Sequence, residues 1–92
     1  MTQPVTIVSD SIADPNYNIY LIDASNNEVT LSLPDSTAGN GLYWQIMRID
    51  VNAGNTVTIN TLISGQLIDG LTSVTLAPGI QRWVVSTNGN WA

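Results

Sequence analysis

Three aspartates occur in the same local wording. Asp23 follows Ile22 and leads to Val29-Thr30-Leu31, Asp50 follows Ile49 and leads to Val57-Thr58-Ile59, and Asp69 follows Ile68 and leads to Val74-Thr75-Leu76. A carboxylate repeated in matched settings can act as acid or base, ligate a cation, or hold a turn. Paired carboxylates suffice for glycoside hydrolysis. A turn role explains all three together, because Asp accepts backbone N–H groups and β-branched residues then resume the pleat. From Asp to Val the copies count six, seven and five residues. A stacked solenoid keeps its period, so the phrase reads as a recurring hairpin.

Other chemistry lacks its parts. The chain has eight serines and ten threonines, but no His and no Lys to activate one. We read no catalytic residue and expect a non-enzyme. Without His or Cys, zinc and iron have no ordinary ligands. Asp50-Val51-Asn52-Ala53-Gly54-Asn55 is similar to the start of a calcium loop, but Gly54 and Asn55 stand in reversed order. Position twelve is Thr61, not a bidentate Glu. We expect neither metal nor cofactor.

Arg48 and Arg82 are the only cations beside seven carboxylates, and the net charge is −5. They read as buried ion-pair partners across subunits or as phosphate or sialate ligands, and structural pairing is preferred. With no basic face, nucleic acid and anionic membranes are excluded as partners. No apolar run reaches a bilayer span, and Met1-Thr2-Gln3-Pro4 lacks the start of a signal peptide. Of the aromatics Tyr17, Tyr20, Tyr43, Trp44, Trp83 and Trp91, Trp44 and Trp83 are assigned to a core or subunit interface.

The elements that position these residues are strands. Residues 1–16 form either an N-terminal arm, laid on a neighbouring subunit through Val5, Ile7 and Val8, or a first strand. Residues 17–92 form the β-module. Strands at 29–33, 56–60 and 73–76 have one apolar and one hydroxyl-rich face, whereas those at 17–22, 42–49 and 80–86 carry large groups on both. Pro78-Gly79 and Asn88-Gly89 mark turns, and the flanking glycines of Gly65–Gly70 suggest a short strand or bend. No segment holds a helical period. The pattern predicts an all-β fold, a compact sandwich or barrel-like module of about seven to nine short antiparallel strands.

Hydrophobic residues make up 43% of the chain and charged ones 10%, an odd balance for a 92-residue monomer. Strands with two apolar faces need cover that a domain this small does not supply, so a second face is expected to meet other copies. The interface candidates are Tyr20, Trp44, Arg48, Arg82 and Trp83.

Several segments, in order, resemble a small β-module of tailed-bacteriophage virion proteins. They are Tyr20-Leu21-Ile22-Asp23-Ala24-Ser25, Val29-Thr30-Leu31-Ser32-Leu33-Pro34 and Gly41 before Tyr43-Trp44-Gln45-Ile46-Met47-Arg48-Ile49-Asp50. Asn55-Thr56-Val57-Thr58-Ile59, Gly65-Gln66-Leu67-Ile68-Asp69-Gly70, Leu76 and Asn88-Gly89-Asn90-Trp91 complete the set. The resemblance implies a homotrimeric structural module without catalysis, made in the host cytoplasm and carried on the virion surface. As a short product beginning with Met, it suits a capsid decoration (cement) protein on the major capsid protein. The alternative is a tail-fibre or receptor-binding adhesin, joined to tail proteins and facing a host glycan through its aromatics and the 35–41 loop. A non-viral carbohydrate-binding module is a third reading.

Millimolar calcium should leave the melting temperature unchanged; a rise of several degrees would return the loop at Asp50 to the ligand sites.

Overall fold

The computed structural model describes residues 4–38, 42–87 and 89–92. Among these, the strands are β1 Pro4–Ile7, β2 Ser11–Ile12, β3 Ile19–Ile22, β4 Val29–Leu33, β5 Tyr43–Arg48, β6 Val57–Thr61, β7 Ser73–Leu76 and β8 Gln81–Val85. A 3-10 turn at Ser36–Ala38 is the sole helical element among the described residues, and none is long and apolar enough to cross a membrane. Asn88 of the Asn88-Gly89 turn and residues 39–41 of the loop after Asp35 lie outside the described residues.

The strands build two four-stranded sheets, ordered β1-β3-β5-β8 and β2-β4-β6-β7. From β1 to β6 the chain alternates between the sheets, and neighbours within each sheet run parallel. The pairs β5–β8 and β6–β7 are antiparallel. The all-β expectation therefore stands with one correction: the sheets are mixed, not antiparallel.

The hairpin reading of the repeated phrase is corrected too. Val29 pairs with Val57, Thr30 with Thr58 and Leu31 with Ile59, so the first two copies are successive passes lying side by side. The third copy runs the opposite way along β6, with Thr75 opposite Thr58. The stacked passes differ in length. In the first sheet, register runs from Pro4 to Ile19 and on to Gln45, steps of 15 and 26 residues. Doubling a flexible loop costs only ~0.6 kcal/mol, so loops absorb the difference and no fixed period survives in the sequence.

The two strand types separate cleanly. The two-faced strands β3, β5 and β8 all lie in the first sheet, and the one-faced strands β4, β6 and β7 all lie in the second. Both sheets turn an apolar face to one core: Tyr20, Ile22, Trp44, Ile46 and Val84 from the first, and Val29, Leu31, Leu33, Val57, Ile59 and Leu76 from the second. Trp44 meets Trp91 at 5.5 Å between ring centroids, tilted by 43°.

Within residues 1–16, β1 and β2 join the chain's own sheets, beside β3 and β4. Val5 and Ile7 pack against its core, while Val8 is exposed. Of the two options the segment takes the strand in the chain's own sheets, and two of the three residues expected to reach a neighbour, Val5 and Ile7, point inward. The following turn is pinned from the core: Asp14 N–H donates to the Tyr20 hydroxyl (2.6 Å), and Trp44 Nε1 donates to the Asp14 carbonyl (3.2 Å).

Turn chemistry is mostly where the sequence puts it. Ile80 N–H bonds the Ala77 carbonyl at 3.1 Å around Pro78-Gly79, and Gly79 takes a φ of 79° that favours glycine. Between Gly65 and Gly70 there is a bend, where Ile68 bridges Leu71 and Trp91. The C-terminus folds back along β8 through paired bonds between Val85 and Ala92.

With 1% of its surface exposed, Trp44 cannot truncate harmlessly. Trp44→Ala should cost about 3–5 kcal/mol in urea unfolding, whereas Trp83→Ala, measured on dilute protein, should stay within about 0.5 kcal/mol.

Candidate functional site: an uncharged sheet face and the corner behind it

Alternation fixes which side chains leave the first sheet outward. Core residues Trp44, Ile46 and Arg48 take one face of β5, so Tyr43, Gln45 and Met47 take the other. Register then builds outer rows across the strands: Ile19, Gln45 and Trp83; Leu21, Met47 and Gln81; Tyr43 and Val85. Ile49 continues the same alternation, its N–H on the Ile22 carbonyl. Trp83 is 56% exposed, Ile49 50%, Tyr43 42% and Val85 39%.

The Tyr43 and Trp83 rings lie nearly parallel, 5.9 Å apart with 23° between their planes. Beside them Gln45 Nε2 donates to Gln81 Oε1 at 2.7 Å. No charged side chain stands in these rows. Across β4, β6 and β7 the outer face of the second sheet is different in kind, with rows Thr30–Thr58–Thr75 and Ser32–Asn60–Ser73 that water solvates readily, and Ile12 of β2 is exposed beside Ser32 at its edge. Ser32 Oγ donates to Asn60 Oδ1 there at 2.7 Å. Exposed contiguous apolar surface of the first kind marks interaction sites in soluble proteins.

Behind this face, where β5 ends, Arg48 lies buried in the chain's own interior. Its Nε bonds Asp50 Oδ1 (3.0 Å) and its Nη2 bonds Asp50 Oδ2 (3.1 Å). Nη1 donates to the Leu76 carbonyl (2.7 Å), and Nη2 also reaches the carbonyls of Asn52 (2.6 Å) and Asn55 (2.7 Å). Asp50 in turn accepts the N–H groups of Ala24 (2.9 Å) and Asn52 (3.0 Å). The guanidinium and its carboxylate together tie three backbone stretches, at Ala24, Asn52–Asn55 and Leu76. The Asp50 carboxylate and the backbone carbonyls of Asn52 and Asn55 are turned onto Arg48, while Asn52 Oδ1 accepts the Gly54 N–H at 3.0 Å. Among the described residues no group of three or more His, Cys, Asp or Glu could hold a metal ion.

A groove of about 440 Å³ opens here, lined by Arg48, Ala53, Asn55, Thr75, Leu76 and Pro78. Its guanidinium already serves the chain's own acceptors, which argues against a phosphate or sialate site at Arg48. The Arg48 hydrogen bonds hold the Asp50 carboxyl well below the usual carboxylate range, against the opposing effect of burial, so it is a fixed anion and not an acid.

The aspartates of the phrase divide. Asp23 closes its own turn, Oδ1 accepting the Ser25 N–H at 3.0 Å, and Asp50 closes one while holding Arg48. Asp69 takes a φ of 52° and pairs with Arg82 at 3.1 Å near the surface. Of the interface candidates, Trp83 stands on the outer face. Tyr20, Trp44 and Arg48 are buried in the subunit's own core, and Arg82 takes the inward alternation of β8 and pairs within its own chain. The ion-pair expectation is corrected in this respect: both arginines pair within one chain. Sequence reasoning missed Tyr43, Met47, Ile49 and Val85 as companions of Trp83. Period-two alternation from Trp83 and Tyr43 carries them, once the phase of each strand is known.

Compared with protein-family models, curated proteins and solved structures, the chain matches none.

Asp50 supplies a pH test. Its folded-state pKa lies below the unfolded value near 3.9, so its stabilisation is complete above about pH 5 and is lost as pH falls through the folded value. Asp50→Asn leaves Arg48 buried without its anion and should cost about 3–5 kcal/mol at neutral pH. In urea titrations the gap between wild type and variant should narrow below pH 4; a gap independent of pH would contradict the pairing.

Proposed function

We propose that this protein is a non-enzymatic structural module of a bacteriophage virion surface, a homotrimeric capsid decoration protein that stabilises the phage head. Its two sheets close as a sandwich around the shared core. The observation that carries the reading is the uncharged, apolar outer face of the first sheet. A protein that clamps neighbours together needs surface whose burial is favourable, at about 25 cal/mol per Å² of apolar area, and whose shape is fixed before contact. A sheet face backed by a packed core and tied at one end by Arg48 meets both needs. The resemblance of its segments to virion β-modules points the same way.

A second reading has one specific observation in its favour. The exposed Tyr43 and Trp83 rings, with the Gln45 and Gln81 amides beside them, offer flat apolar surface and hydrogen-bonding groups together, as a glycan-binding adhesin requires.

Quantitative mass spectrometry of purified virions separates these readings. Hundreds of copies per particle are expected, with capsids depleted of the protein rupturing at lower temperature. A few dozen copies or fewer, with capsid stability unchanged and adsorption to cells lost, would favour the adhesin and overturn the decoration reading.

A further inference from the structure

We infer that the outer face of the first sheet is the surface on which copies of this chain dock on one another, with Trp83, Tyr43 and Val85 at the centre of the contact. The inference rests on the structural reading above and specifies which face meets which partner.

Charge is the first argument. The chain carries seven carboxylates and a net charge of −5, yet none of them stands in the rows of this face. Contact across a twofold axis, or close around a threefold one, brings like residues towards like, so a carboxylate on the contact would face another. A partner recruited through positive charge would have been met by acidic residues on the surface.

The polar groups give the second argument. Gln45, Gln81 and the Tyr43 hydroxyl are each donor and acceptor at once, so an identical face can satisfy them. The amide pair at 2.7 Å can exchange its internal bond for equivalent bonds to a copy without stranding a charge.

Area sets the expected strength. Four strands about 4.8 Å apart and four to six residues long, at about 3.3 Å per residue, span a plane of roughly 250–380 Å². Two such planes approach, but do not clear, the roughly 1,000 Å² of a stable interface. Association should therefore be concentration-dependent in the micromolar range unless flanking apolar residues such as Ile49 join it. Trp83, the largest exposed ring, is placed to carry a disproportionate share, as buried aromatic anchors do.

Sedimentation velocity over a micromolar concentration series tests this on the full chain, with Trp83→Glu, Val85→Glu and the opposite-face control Thr58→Glu. Far-UV circular dichroism and the melting temperature of dilute protein establish that each variant folds. Wild type and Thr58→Glu should form dimers or trimers as concentration rises, while the two face variants weaken association by at least about 30-fold. A wild type that stays monomeric throughout overturns the inference, as does a Thr58→Glu variant that dissociates while Trp83→Glu assembles. The structural reading is tested separately. A monomer abundant on virions and bound to depleted capsids through Trp83 would leave that reading standing with this inference gone. A monomer whose Trp83 is needed for binding on a glycan array would remove both.

Discussion

A short chain has one core to bury, and each sheet can give that core only one face. The architecture follows from this constraint. Inner alternations of both sheets converge on a single cluster running from Tyr20 and Trp44 to Leu31, Ile59 and Leu76. In β4, β6 and β7 of the second sheet the outer alternation is Thr, Ser and Asn, so each of these strands is complete once its apolar face is covered. In the first sheet the outer alternation is Ile19, Leu21, Tyr43, Met47, Trp83 and Val85 with Gln45 and Gln81 among them, and of its apolar residues Tyr43, Trp83 and Val85 stay exposed. These three leave apolar surface exposed on this sheet face, which the packed core backs from behind.

Arg48 lets the passes of unequal length share that core. Parallel neighbours require the chain to return through the other sheet, and the return from β5 to β6 is made by the loop around Asp50–Asn55. Backbone carbonyls in such a loop need donors, and the guanidinium supplies them to Asn52, Asn55 and Leu76 while Asp50 balances its charge. Asp50 also reaches back to Ala24 in the preceding pass, joining successive layers. The groove beside this corner is the open space between the tied loop and the end of β7.

Much of this was legible in residue types, and some of it was legible only in part. Sorting strands into one-faced and two-faced kinds anticipated their division between sheets, because side-chain chemistry reports whether a face meets water. Pairing direction was not legible: Val29-Thr30-Leu31 and Val57-Thr58-Ile59 look alike whether they lie parallel or antiparallel, and unequal loops erased the period that distinguishes stacked passes. Phase was the second loss. Trp44 and Trp83 look equivalent in sequence, but Trp44 sits opposite Val84 on the inner face and Trp83 opposite Gln45 on the outer one. A strand with bulky residues on both faces does not state which face is inside. Arg48 is a related case: residue type announces an ion pair, but not that the partner lies only two residues on in the same chain.

Tryptophan accessibility tests the central claim most directly, because the three rings occupy distinct places. Trp44 and Trp91 are buried in the core, and Trp83 stands on the uncovered face. Acrylamide quenching, followed across a dilution series, should show all three shielded when the protein is concentrated and one becoming accessible on dilution. Trp83→Phe should abolish that change. An accessible tryptophan at every concentration would show that the face stays open to water and that copies of the chain do not cover it.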